Sequence, residues 1–297
     1  AVVAGTRMID AGEADVVVAI GQESMSLAPH VQRARAGTKY GAIEMIDTLE
    51  FDGLTDAFEK RSMGSSTEDG NTSMGIKRAE QDEFSARSHQ LAAAAADFHA
   101  GEIAPFTISS RRGDTVVSAD DGIRADTTVD SLGKLRPAFS KEGTITAGNA
   151  SQITDGAAAV VLVSKAAAER LGIKPMAEIV SHALVAGPDV TLHEQPANAI
   201  LAALEGTGIT PADLKAVEIN EAFAAVGVRS TAKLGIDPEI VNAKGGAIAL
   251  GHPIGASGAR IVGTLARQLA ELGAGSVGAT GICGGGGQGS AVILRAL

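Results

Sequence analysis

The 297-residue sequence predicts an α/β fold of two related halves with a lobe inserted into the first, on three observations. The first is an order of elements that occurs twice. Val2, Val3, Met8 and Ile9 give a short apolar helix, Gly12 breaks it, and Asp15 to Gly21 follows as a strand. Near the other end, Ile261, Val262, Leu265, Leu269 and Leu272 are spaced as one helical face, Gly273 breaks it, and Ser276 to Gly281 follows as a strand. One constant offset lays Gly21 on Gly281 and Ala14 on Ala274. The second observation is the kind of apolar residue. Hydrophobic residues make up 45% and aromatics only 3%, with 37 Gly and no Trp, which suits small side chains and helices lying close on a sheet. The third is a change of texture from about Met25 to Asn149, richer in charge, Ser and Thr and poorer in long apolar strands.

Within that middle stretch, Lys77 to Ala100 reads as one helix, with Phe84, Leu91 and Phe98 toward the core and an Ala92 to Ala96 run of high helix propensity. Pro105 to Ile108 and Asp114 to Val117 are short strands around the turn Arg111-Arg112-Gly113. Ala157 to Ser164 reads as a buried strand, followed by a helix from Lys165 to Leu171 that Gly172 closes. The second half begins near Pro175. Leu214 to Ile219 and Gly245 to Leu250 are strand-like there, and Pro211-Ala212-Asp213 marks a turn. The expected division is residues 1–24 and 153–174 for the first half, 25–152 for the lobe, and 175–297 for the second half.

A formal net charge of −10 argues against nucleic acid as a partner. The most apolar stretch, Asp155 to Ser164, is too short to span a bilayer, so a membrane is not expected either. The single cysteine, Cys283, excludes an internal disulfide and a multi-cysteine metal site, and points to a reducing cytoplasm. The chain begins at Ala1 rather than Met without a signal-peptide pattern, and its start reads as a cut end.

Three segments carry the residues suited to chemistry. Asn220-Glu221-Ala222-Phe223 follows directly on the strand ending at Ile219, where α/β folds present polar groups to ligands; an N-cap is the alternative for Asn220. Gly251-His252-Pro253-Ile254-Gly255-Ala256-Ser257-Gly258 sets a histidine among glycines just before a helix, where it can act as a base or a donor. The other histidines, His30, His89, His99, His182 and His193, lack this setting and are expected on the surface. Cys283 ends a strand and precedes four glycines, whose exposed N–H groups can lower a thiol pKa or cradle an oxyanion; a small buried Cys is the alternative. No phosphate-binding, dinucleotide-binding or metal motif is present, so no metal or redox cofactor is expected. A thiol, a histidine and an amide on strand ends and Gly-rich loops fit carbonyl chemistry.

These motifs closely resemble those of the thiolase family, the acetyl-CoA acetyltransferases and 3-ketoacyl-CoA thiolases. The likeness runs through Gln22 to Ser26, Asp52 to Phe58, Lys134 to Phe139, Thr146 to Ser151 and Asp155 to Ala158. It implies a five-layered α-β-α-β-α fold of two βαβαβαββ halves with an inserted loop domain. It also implies interconversion of a 3-ketoacyl-CoA plus CoA with two acyl-CoA molecules, with CoA thioesters as substrates and no permanent cofactor, in a homodimer or homotetramer. In that family a nucleophilic Cys takes the acyl group. By resemblance His252 activates that thiol, Cys283 is the base at the α-carbon, His252 and a water on Asn220 bind the enolate oxygen, and the Gly285 N–H belongs to a second oxyanion hole. Arg124, Ser131, Leu135, Phe139, Ala147 and Ser151 match positions along CoA, with Met63 beside them. For Arg124 a solvated charge, for Ser151 a helix cap, and for Leu135 and Phe139 a core role are the alternatives.

The resemblance has gaps. The family's Cys-x-Ser-Gly segment with the nucleophile falls before the position of Ala1, so the first half is expected to be incomplete, the chain being a fragment or a truncated relative. A non-catalytic acyl-CoA-binding or assembly subunit is therefore the alternative function. A ketoacyl synthase of the same fold is disfavoured by Cys283. Ser62, where short-chain biosynthetic members often carry His, leaves acyl-chain preference open, and Thr67 to Asn71 is expected to form an irregular helix start.

Overall fold

The computed structural model describes residues 1–35 and 37–297. The chain opens with α1 (Val2–Asp10), ended by Gly12 at a φ of 72°, and β1 (Val16–Ser24). The lobe then runs through β2 (His30–Val31), β3 (Ile46–Asp47), a wide helical turn at Leu49–Leu54, α2 (Met63–Met74), α3 (Arg78–Ala94), α4 (Ala96–Ala100), the hairpin of β4 (Phe106–Ile108) and β5 (Thr115–Val117), and α5 (Val129–Gly133). β6 (Asp155–Val163) returns antiparallel along the whole of β1, with Ser24 opposite Asp155. The chain thus leaves and re-enters this pair at facing positions. Ser164 caps α6 (Lys165–Leu171) by accepting from Ala167 N, and Gly172 ends it at a φ of 65°.

The second half reads β7 (Ala177–Ala186), α7 (Gln195–Leu204), β8 (Leu214–Ile219), α8 (Ala224–Leu234), α9 (Ala247–Leu250), α10 (Ile254–Leu272), β9 (Val277–Gly284) and β10 (Gln288–Ala296). Its sheet has the order β7-β10-β9-β8; β9 runs parallel to β8 and antiparallel to β10. The fifth strand that the resemblance implies is reduced to one bridge, Val217 to Val241.

Apolar residues of α1, β1, α10 and β10 form one core: Val2, Ala19, Val262, Leu265, Leu269, Val292 and Leu294. α1 and α10 therefore lie between the two sheets. On the far face of the four-stranded sheet, Ala199, Ile200 and Ala203 of α7 and Leu234 of α8 meet Val217, Ile219, Ala279 and Ile293. The described residues thus stack as helices, sheet, helices and sheet. The outer face of β1 and β6 carries Val16, Val18, Ile20 and Val161, all exposed.

Several expectations are corrected. Ala157 to Ser164 is not a buried strand: the strand starts at Asp155, and alternate residues are exposed because β6 is covered on one face only. Lys77 to Ala100 is interrupted at Ala95, and the buried face of α3 is polar, with Gln81, Asp82, Ser85, Ser88 and His89, while Phe84 and Leu91 are half-buried. Thr67 to Asn71 is regular helix. Thr67, Glu68 and Asn71 are buried in it, and Glu68 holds the following loop, accepting from Thr144 N at 2.7 Å and Ile145 N at 2.9 Å. Gly245 to Leu250 contains the helical turn α9 rather than a strand, since a short apolar run does not distinguish a buried strand from a buried turn. His89, His99 and His193 are buried, each with a partner: Arg124 N, Lys244 O and Asn71 Oδ1.

Candidate active site

The parallel pairing of β8 and β9 aligns Ile219 with Gly281, and Asn220 N donates to Gly281 O at 2.9 Å. Asn220 and Cys283 consequently leave the sheet at the same end. α10 packs along this sheet and starts at that end, so His252, two residues before Ile254, arrives beside Asn220. Close packing sets its entry: a Cβ on Gly21 would lie 2.3 Å from Gly255 O, and one on Gly255 2.3 Å from Gln22 O.

The imidazole of His252 is fixed on two sides. Its Nδ1 lies 2.6 Å from Ser257 Oγ, which donates to Pro253 O at 3.0 Å. Ser257 thus accepts from Nδ1–H and leaves the Nε2 lone pair toward Asn220 Nδ2, 3.3 Å away. Thr154 Oγ1 accepts from His252 N at 3.2 Å. Burial, with a smaller contribution from the Arg260 guanidinium, lowers the imidazole pKa to about 4, so the ring is neutral at physiological pH. Asn220 is buried, and its Oδ1 has no partner among the described residues. It is not an N-cap: Phe223 occupies that position on α8.

Cys283 sits one residue before the end of β9, and burial pushes its thiol up to about 12. The glycines after it therefore do not lower its pKa in the resting site. They shape the turn into β10, with Gly286 and Gly287 at φ of 78° and 71°; a Cβ on Gly287 would lie 1.8 Å from Asp189 O. Gly285 faces Met63, whose Sδ would be 3.1 Å from an added Cβ.

His252, Cys283 and Gly285 share a cavity of about 780 Å³, with Met63, Phe139 and Ser151 on its lobe side. The Phe139 ring lies over Gly64 and meets the Phe223 ring edge-on at 6.2 Å. Ser151 is in the cavity wall, where its N donates to Ala222 O, and caps no helix. Arg124, Ser131, Leu135 and Ala147 are exposed and lie outside the wall of this cavity. Arg124 reaches Gly122 O and Gln152 Oε1, at 3.2 and 3.3 Å. Ser131 exchanges hydrogen bonds with Thr128 at the start of α5, which is a structural use of its hydroxyl.

Family models place the chain. The thiolase N-terminal domain matches residues 1–166 and the thiolase C-terminal domain residues 173–296. The chain belongs to the thiolase family. A probable acetyl-CoA acetyltransferase of Mycolicibacterium smegmatis is 54% identical over 99% of this chain and 77% of its own length. The acetyl-CoA acetyltransferase of Rhizobium meliloti is 48% identical over 100% of this chain and 76% of its own. Among solved structures, the Bacillus anthracis acetyl-CoA acetyltransferase superposes with a TM-score of 0.95 and human mitochondrial 3-ketoacyl-CoA thiolase with 0.93, each at 38% identity. This chain covers 76% and 75% of those two chains and is itself covered completely.

In this thiolase chain the roles of Ser257 and Thr154, which fix the histidine, and of Leu54–Phe58, which lines the cavity, were not read from the sequence. Ser257 was findable, as a hydroxyl in the first turn of the helix that follows His252. Thr154 was not, because 98 residues separate it from the group it holds. Among the described residues no helix is long and apolar enough to cross a membrane.

Proposed function

We propose that this chain carries the enolate-forming half of a CoA-dependent acyltransferase that interconverts a 3-ketoacyl-CoA plus CoA with an acyl-CoA plus acetyl-CoA, for example acetoacetyl-CoA with two acetyl-CoA. The observation that carries the reading is the meeting of Asn220, His252, Cys283 and Gly285, from separate segments, at one end of a parallel strand pair.

In the direction of condensation Cys283 passes its proton to His252 Nε2 and, as thiolate, takes a proton from the α-carbon of acetyl-CoA, and the electron pair moves onto the thioester oxygen as an enolate. A thiolate of a thiol with pKa of about 12 is a strong base for this step. In thiolysis the same high pKa keeps the thiol protonated and able to return that proton. His252 presents an Nε2 lone pair that accepts a proton from a thiol; once protonated, Nε2–H donates to the enolate oxygen, with a water on Asn220 as second donor. The Gly285 N–H is assigned to the oxyanion of the tetrahedral intermediate. Acylation itself is assigned to a second cysteine outside these 297 residues, whose only cysteine is Cys283.

The lobe, residues 25–152, is assigned to CoA, with Met63, Phe139 and Ser151 at the pantetheine end and Arg124, Ser131, Leu135 and Ala147 farther out. Residues 1–24 with 153–174, and 175–297, are the two halves; the first is read as incomplete, which the bare outer face of β1 and β6 supports. CoA esters enter as substrates rather than as a resident cofactor. The exposed Val16, Val18 and Ile20 also suit a homodimer or homotetramer, and the lone thiol suits the cytoplasm. A non-catalytic acyl-CoA-binding subunit is the weaker reading, because the buried Asn220 and the fixed imidazole serve chemistry rather than binding.

The test is deuterium uptake at the α-carbon of acetyl-CoA in D2O, which needs no acyl-accepting cysteine. Uptake that disappears in Cys283→Ala supports the reading, and its absence in the native chain refutes it.

A further inference from the structure

Glu221 has no part in the steps above, yet it is 1% exposed and directly follows Asn220. Its Oε2 accepts from Ser88 Oγ at 2.7 Å and from Ile248 N at 3.0 Å, and its Oε1 accepts from Asn242 Nδ2 at 2.7 Å. Two of these side chains are also held elsewhere. Ser88 Oγ accepts from Gly246 N at 3.0 Å, and Asn242 accepts from Ile219 N and donates to Ile219 O, both at 2.8 Å. Gly246 leaves no room beside the carboxyl, where an added Cβ would come within 2.3 Å. One carboxylate thus ties α3, the end of β8, the turn at Asn242 and the start of α9, and α9 leads through Gly251 to His252.

We propose that Glu221, as an ionised carboxylate, is the positioning residue that sets His252 against Asn220 for enolate stabilisation. The kinetic part rests on the function proposed above. An amide cannot substitute. Both oxygens receive donors, so a Gln would aim an N–H at either Asn242 Nδ2 or Ile248 N. Asn242 cannot turn over to receive it, because its Oδ1 and Nδ2 are both held by the backbone of Ile219. Burial pushes the Glu221 carboxyl pKa up, and the bonds from Ser88, Ile248 and Asn242 pull it back.

The experiment compares the native chain with Glu221→Gln in two readouts. One is acetyl-CoA α-deuterium exchange, resolved into kcat and KM. The other is the NMR resonance of the His252 Cε1–H, assigned by its loss in His252→Ala. A displaced imidazole predicts a kcat lower by about tenfold or more with KM changed less than about twofold, and a shifted His252 resonance. An unchanged resonance, or an unchanged kcat per folded molecule, overturns the proposal even if the variant is less stable. If the native chain shows no exchange, the proposed function fails and the resonance alone decides the positioning claim. If Glu221→Gln does not fold, Ser88→Ala takes its place. It removes one of the bonds, so the same shift and a smaller fall in kcat are expected, and an unmoved resonance overturns the proposal.

Discussion

The two sides of the cavity are built differently. On the side of the second half, Asn220, His252 and Cys283 stand on strand ends and a helix start whose framework is packed on both faces, through Leu265, Leu269, Ile219 and Ile293. On the lobe side, α2 and α3 bury polar groups such as Glu68, Asn71, Gln81 and Ser88, and the residues assigned to CoA are largely exposed. The difference teaches where each demand falls. On the function proposed above, proton transfer, which tolerates little displacement, falls to the fully packed sheet, and holding a long flexible thioester falls to a polar, loosely covered wall.

If that division is right, substitutions on the first side reduce turnover and those on the second reduce binding. The largest effect belongs to Cys283→Ala, expected to lower α-proton exchange by about 10³-fold with CoA binding retained, as measured by deuterium uptake and calorimetry. His252→Ala follows, with about 10²-fold lost from kcat as a donor to the oxyanion disappears. A normal kcat in either variant would break the comparison.

Acid gives the next effect, read as urea-unfolding stability against pH. His193 and His252 both have pKa values lowered by burial from 6.5 to about 4, so between these values the unfolded chain binds protons that the folded chain does not. Stability is therefore expected to fall as pH drops from 6.5 toward 4, by at most about 3 kcal/mol for each ring. Glu218 works the other way. Burial raises it to about 7, the folded chain keeps its proton, and its contribution to stability declines as pH rises from 4.5 through 7. Removing the His193 share of the first effect with His193→Gln, while exchange activity persists, would separate stability from catalysis. The smallest effect is on the lobe side. Arg124→Ala is expected to raise KM for CoA esters several-fold, about 1 kcal/mol, with kcat unchanged, in steady-state kinetics.

The same contrast explains what could be read from the sequence. Asn220, His252 and Cys283 were legible because strand ends and Gly-rich turns announce themselves locally, and the strand from Leu214 to Ile219 and the helix closed by Gly172 have sharp apolar and glycine boundaries. The buried face of α3 was not legible. Gln81, Asp82 and Ser88 look like a solvated face until Thr144, Asn149 and Glu221, far along the chain, supply their partners. The same holds for His89, His99 and His193, each buried against a partner between 35 and 145 residues away. Ala247 to Leu250 misled for another reason: four small or aliphatic residues carry no period, and the bond from Ile248 N to Glu221 decides for a helical turn.

Ser24 and Asp155 face each other across β1 and β6, so the lobe departs and returns through a gap of about 5 Å between Cα atoms. Such a junction behaves like a socket. A lobe of different length, or one taken from another member of the family, can be spliced between these two positions without moving the register of either strand. If the lobe holds CoA as proposed, substrate range is exchanged with it as a cassette, and the proton-transfer groups stay where they are so long as the incoming lobe keeps a hydroxyl at the place of Ser88 to hold Glu221.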